Sequence, residues 1–183
     1  AEAVSNIYNK GGSILGTSRF NPVKDTEHLD KLVSGLKQNN IDKLIVIGGE
    51  GSAYLSLKIA HLHPEIAVVH VPKTIDNDLI LPNKHPSFGF ETALHAGTKI
   101  VETLREDAKT CRRWFLATTM GRKAGFLALG IGLAAGATST LIPEEFTGFA
   151  PTPEDISTII FSTIRKRIAM KKNYGVIVLA EGI

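Results

Sequence analysis

A single cysteine, Cys111, stands in 183 residues, so the chain has no internal disulfide framework. A chain built that way suits a reducing compartment, and a cytoplasmic setting is expected. Cys111 lies in Thr110-Cys111-Arg112-Arg113 with no base beside it in sequence, which argues for a structural thiol over a nucleophile. Long apolar runs are missing too. The most membrane-like stretch, residues 124–137, is glycine-rich and falls short of the roughly 20 apolar residues that a spanning helix needs. A buried helix is expected there, and no membrane partner. Charge of one sign is scarce: 21 lysines and arginines face 18 acids, for a net +3. Without a basic block nothing calls for a nucleic-acid partner, and small anions fit that charge equally well. There is no internal repeat, low-complexity tract or linker. The chain opens on Ala1 and stops at Ile183 just after a strand-like run, so residues 1–183 are expected to be a piece cut at both ends.

What the chain does have is an alternation of periods. Leu29, Leu32, Val33 and Leu36 share one face of a helix over residues 26–39, with Thr26 as its cap. Residues 43–47 read as a strand, followed by Gly48-Gly49-Glu50-Gly51-Ser52 and a helix over 53–61. The apolar run 66–71 reads as a buried strand, which Pro72 should end. A long helix is expected over 90–108, with Ala93, Leu94, Gly97, Ile100, Val101 and Leu104 on its apolar face. Strands follow at 113–119, 137–142 and 174–180. Between the last two, Pro153 opens a helix to about residue 172, with Ile156, Ile159, Ile160, Ile164 and Ile168 as its buried face. Strand and helix in turn predict an α/β fold, a Rossmann-like sandwich with a mostly parallel sheet and helices on both faces.

Several strands run directly into ligand-type turns, as expected at the carboxyl edge of such a sheet. Pro72-Lys73-Thr74-Ile75-Asp76-Asn77-Asp78 puts two carboxylates and a lysine in seven residues, a set suited to proton abstraction beside a metal-bound phosphate. The glycines of 48–52 let a backbone approach a phosphate, a following helix offers its positive end, and Glu50 is placed to reach magnesium. Residues 10–19, with three glycines, three hydroxyls and Arg19, form another candidate anion loop. Met120-Gly121-Arg122-Lys123 puts two cations at an expected helix start, where a bound anion would compensate them.

Taken together, residues 11–19, 48–52, 72–78, 120–122 and Ala180-Glu181-Gly182 resemble the phosphofructokinase family in order and spacing, over nearly the whole chain. The glycine loop 48–52 alone also resembles NAD kinases and diacylglycerol kinases, in which the Asp76 and Arg122 motifs are not expected. The resemblance implies magnesium-dependent transfer of a phosphoryl group to the 1-hydroxyl of fructose 6-phosphate, in a homo-oligomer. By that pattern Asp76 is the base, Thr74 contacts the transferring phosphate and Arg122 offsets its charge. Asp78 and Glu50 serve the metal, Glu50 standing where the family usually has an aspartate. Met120, Gly121 and Glu181 meet the sugar, while Arg113 reaches the sugar phosphate of a neighbouring subunit. Arg19 contacts the donor, with Gly48, Gly49, Gly51 and Ser52 around it. The donor markers conflict: Gly51 matches ATP users and Lys73 matches pyrophosphate users. The bare Gly51 gives ATP a slight preference, with pyrophosphate the alternative and a non-catalytic sugar-phosphate or nucleotide binder the rival. The segment alone is expected to be inactive.

Overall fold

The computed structural model describes residues 4–18 and 20–183. Its main elements alternate as the sequence periods require. Helix α1 (Thr26–Gln38) leads to β1 (Lys43–Gly48), α2 (Glu50–Leu62), β2 (Ala67–Thr74) and the short β3 (Phe88–Gly89). Then come α3 (Phe90–Cys111), β4 (Trp114–Thr119), α4 (Phe126–Ala135), β5 (Ser139–Leu141), α5 (Pro153–Ala169) and β6 (Gly175–Ala180). No described helix is long and apolar enough to cross a membrane.

The strand pairs are all parallel, and the strands divide between two three-stranded sheets, in the orders β1-β2-β3 and β4-β6-β5. The single sheet expected from sequence is thus split, while the α/β class holds. β6 is central and reads Gly-Val-Ile-Val-Leu-Ala because both its faces are covered. Its Val176, Val178 and Ala180 join Phe90, Val101 and Ala108 of α3 and Leu127, Ala128, Ile131 and Ala135 of α4 in the main core. Glycine lets the two helices meet. A Cβ at Gly97 would strike Ile131, and one at Gly130 would lie 2.6 Å from Leu94 Cδ1. A smaller core, Leu29, Val33, Ile59 and Ile66, fastens α1 and α2 to the first sheet.

Three local expectations are corrected. Pro72 does not end its strand: β2 runs on to Thr74. Pro72 is level with Gly48, the last residue of β1, and beyond it Lys73 and Thr74 pair with Phe88 and Gly89 on the other side. The proline therefore sits where one neighbour stops, and its missing N–H breaks no continuous ladder. Asp25, not Thr26, caps α1, its carboxylate accepting from the Glu27 N–H at 2.9 Å. The isoleucine face of α5 is not buried: Ile159 and Ile168 are exposed, the other three are half-buried, and no α5 residue is in the core. Periodicity fixes which side chains share a face, but not what covers it. The same is true of Ile45, Ile47, Val69 and Val71, which lie bare on one face of the first sheet.

Candidate active site

Parallel strands bring their carboxyl ends to one edge, and the turns that follow build a cleft of about 630 Å³. After β1 the chain turns at once into α2, so Glu50, Gly51 and Ser52 are its first turn and not a loop, as had been expected. Gly49 precedes them in an extended conformation as the cap. Gly48 has no room for a side chain, since a Cβ there would meet Ser52 Oγ and lie 2.8 Å from Ser52 Cβ. Gly51 differs: nothing lies within 4 Å of the position its Cβ would take. The positive end of α2 therefore faces the cleft with an open place at its first turn.

After β2, Asp76 turns inward and is only 8% exposed. Its N–H donates to Thr74 Oγ1 at 3.1 Å. Burial pushes the Asp76 carboxyl above the usual carboxylate range; Thr74 and the Arg122 charge oppose the rise, while the Asp78 and Glu181 charges add to it. A carboxylate held this way is a stronger proton acceptor than a solvated one.

After β4 the chain makes a tight turn. Gly121 has φ +149° and Arg122 the left-handed φ of +55°. Both of their N–H groups donate to Glu181 Oε1, at 3.0 and 2.7 Å, so the end of β6 holds the turn. Arg122 and Lys123 precede α4 by several residues, and the expected helix start is corrected to a turn with Gly125 as the cap. Arg122 Nη1 reaches across to Glu50 Oε2 at 3.3 Å.

The cleft is lined by Gly49, Glu50, Gly51, Ser52, Lys73, Thr74, Asp76, Met120 and Arg122, all named from sequence. Phe20, Asn21, Pro22, Leu55 and Ile75 complete it and were not foreseen. Gly48, Gly121 and Glu181 do not line it; Glu181 instead holds the Gly121 turn. Asp78 opens on an adjoining recess of about 310 Å³ with Glu50, Arg122, Lys123 and Glu144. Arg113 precedes β4 at the opposite edge and is not brought to the cleft. Residues 10–15 line a separate hollow, and Arg19 lies outside the described residues. Two supporting residues escaped the sequence reading. Ser87 is buried against the Asp76 turn. Glu144 Oε1 accepts from the Gly125 N–H at 2.8 Å. Neither has a local signal, because each acts on a segment remote in sequence.

The donor set can accommodate a divalent ion. Asp78 Oδ1 is buried without a hydrogen-bond partner and shares its recess with Glu50. No group of three or more candidate ligands gathers among the described residues. One or two carboxylates completed by phosphate oxygens and water is how magnesium is commonly held.

The phosphofructokinase family profile matches residues 1–183. A pyrophosphate–fructose 6-phosphate 1-phosphotransferase of Thermotoga maritima is 50% identical over all of this chain and 43% of its own length. An ATP-dependent 6-phosphofructokinase of Lactobacillus gasseri is 36% identical over all of this chain and 54% of its own. The fold is similar to the crystal structure of a pyrophosphate-dependent phosphofructokinase from Marinobacter aquaeolei, with TM-score 0.74 and 23% identity over 93% of this chain and 43% of that one. The chain thus spans about half the length of the curated relatives it matches.

Proposed function

We propose that this chain, which belongs to the phosphofructokinase family, supplies the phosphoryl-transfer half of an enzyme that phosphorylates the 1-hydroxyl of fructose 6-phosphate. One observation carries the reading: Asp76, Lys73, Thr74, Arg122 and the first turn of α2 line a single cleft, although they come from three separate strand ends. Asp76 takes the hydroxyl proton. Thr74 and the N-terminus of α2 hold the transferring phosphate, and Arg122 balances its charge. Met120 faces the sugar, and Glu181 acts through the Arg122 turn that it holds. Such a reaction asks for positioning and charge stabilisation more than for covalent chemistry. Magnesium fits at Asp78 and Glu50, where it would neutralise donor phosphate charge. Reaching substrate from the Glu50 pair requires Arg122 to let go of that carboxylate. Arg113, at the far edge, serves a second copy of the chain.

For the donor we favour pyrophosphate, against the slight sequence preference for ATP. Lys73 lines the cleft, where an ammonium can hold a compact phosphate donor. The pyrophosphate-named relative shares 50% of its residues with this chain, against 36% for the ATP-named one. The open place at Gly51 admits either donor, so it no longer decides. Steady-state rates of the full-length protein with each donor test this. Pyrophosphate is expected to give the higher kcat/KM, and a strong preference for ATP overturns the donor assignment. Absence of fructose 6-phosphate phosphorylation with either donor overturns the function.

A further inference from the structure

Ser87 is 2% exposed and does not line the cleft, yet it holds the Asp76 turn at two points. Its hydroxyl donates to the Thr74 carbonyl at 2.7 Å. Its N–H donates to Asn77 Oδ1 at 2.9 Å. Asp76 lies between those two anchors, its own N–H satisfied by Thr74 Oγ1. Asn77 adopts a left-handed φ of +55°, a conformation that local side-chain bonding helps an asparagine keep. Ser87 is itself fixed from behind. Its carbonyl accepts the Phe90 N–H at 3.1 Å, at the start of α3, and Phe90, Val101 and Ala108 root α3 in the main core. A chain of contacts thus runs from the core through α3 and Ser87 to the turn that carries the carboxylate.

Resting on the function proposed above, we propose that Ser87 is a positioning residue for the transfer: its hydroxyl fixes the aim of the Asp76 turn into the cleft. Without the hydroxyl the Thr74 carbonyl loses this donor where water hardly reaches, and the turn must move to recover one. The Ser87 N–H bond to Asn77 survives the substitution, so Ser87→Ala removes the hydroxyl's share alone. Misplacing a reacting group by about 1 Å costs on the order of 10²-fold in rate, while ground-state binding through other residues persists.

The test uses the full-length protein. Ser87→Ala is expected to lower kcat by about 10–100-fold while KM for fructose 6-phosphate and for the donor stays within about threefold. Ser87→Thr, which keeps the hydroxyl, is expected to restore kcat per folded molecule, with any fall in melting temperature from the added buried methyl read separately. Amide exchange over residues 72–78 is expected to quicken about tenfold in the alanine variant and not in the threonine variant. Unchanged kcat, a loss that follows only the folded fraction, an unrescued threonine variant of normal stability, or unaltered exchange each overturns the inference. If the alanine variant does not fold, Ser87→Cys, of similar size and weaker donor strength, is read by the same criteria. Should the parent phosphorylate no fructose 6-phosphate, the function is refuted, and the exchange arm still decides whether Ser87 holds the turn.

Discussion

Asp76, in the role proposed for it, is held between two demands: a base must ionise, and burial opposes ionisation. Its replacement separates them. In the full-length protein Asp76→Asn is expected to lower kcat by about 10²–10⁴-fold, with fructose 6-phosphate binding by calorimetry nearly unchanged. An equal loss of binding would favour a non-catalytic binder instead. The same substitution has a stability sign. A carboxyl whose folded value is raised favours the folded state below its unfolded value and loses that advantage as pH rises through the folded one. Asn carries no such charge, so in metal-free buffer Asp76→Asn is expected to melt above wild type at neutral pH, the gap closing in acid. Lys73 tests the donor: Lys73→Gly should raise KM for pyrophosphate more than KM for ATP, read from steady-state rates. These residues were legible in sequence because the polar turns after several apolar runs match one family pattern when taken together, although any one of them alone reads equally well as a solvated loop. Ser87 was not, since its partners, Thr74 and Asn77, meet it only once β2 and β3 align.

At the scale of an element, α5 shows what local sequence secures. Thr152 Oγ1 accepts from the Asp155 N–H while the Asp155 carboxylate accepts from the Thr152 N–H, a reciprocal cap. Thr152→Ala is expected to cost about 1 kcal/mol of α5 stability, measured by amide exchange of its first turns. The backbone and side-chain bonds from Thr152 hold the Asp155 carboxyl below its ordinary range. That stabilisation is therefore present above the unfolded value and lost as pH falls through the folded one. Pairing between elements is less visible. The helical period puts Gly97 on the apolar face of α3, but it does not show that Ile131 of α4 enters there. Gly97→Val is expected to destabilise by about 1–3 kcal/mol through overpacking, seen as a lower denaturation midpoint at constant slope. Pro72 teaches the converse: proline is a strand breaker only where a neighbour needs its N–H.

Across the whole molecule, the bare faces matter most. Ile45, Ile47, Val69 and Val71 share one exposed sheet face, and Phe161 and Ile168 are exposed on α5, the kind of apolar surface that marks a contact with another protein surface. Produced alone, these 183 residues are expected to self-associate in sedimentation and to show no turnover in a coupled assay. Normal turnover from a monodisperse segment would refute this. By itself the sequence determined the order of the helices and the longer strands, the parallel class and the residue types gathered at the strand ends, because period and residue type are local properties. Only the tertiary structure decided that the strands form two sheets, that Arg122 rests on Glu50 while Arg113 stands at the opposite edge, and that Ser87 supports the Asp76 turn. Those facts depend on register and on side chains meeting across tens of residues, and no spacing along a chain encodes a distance through space.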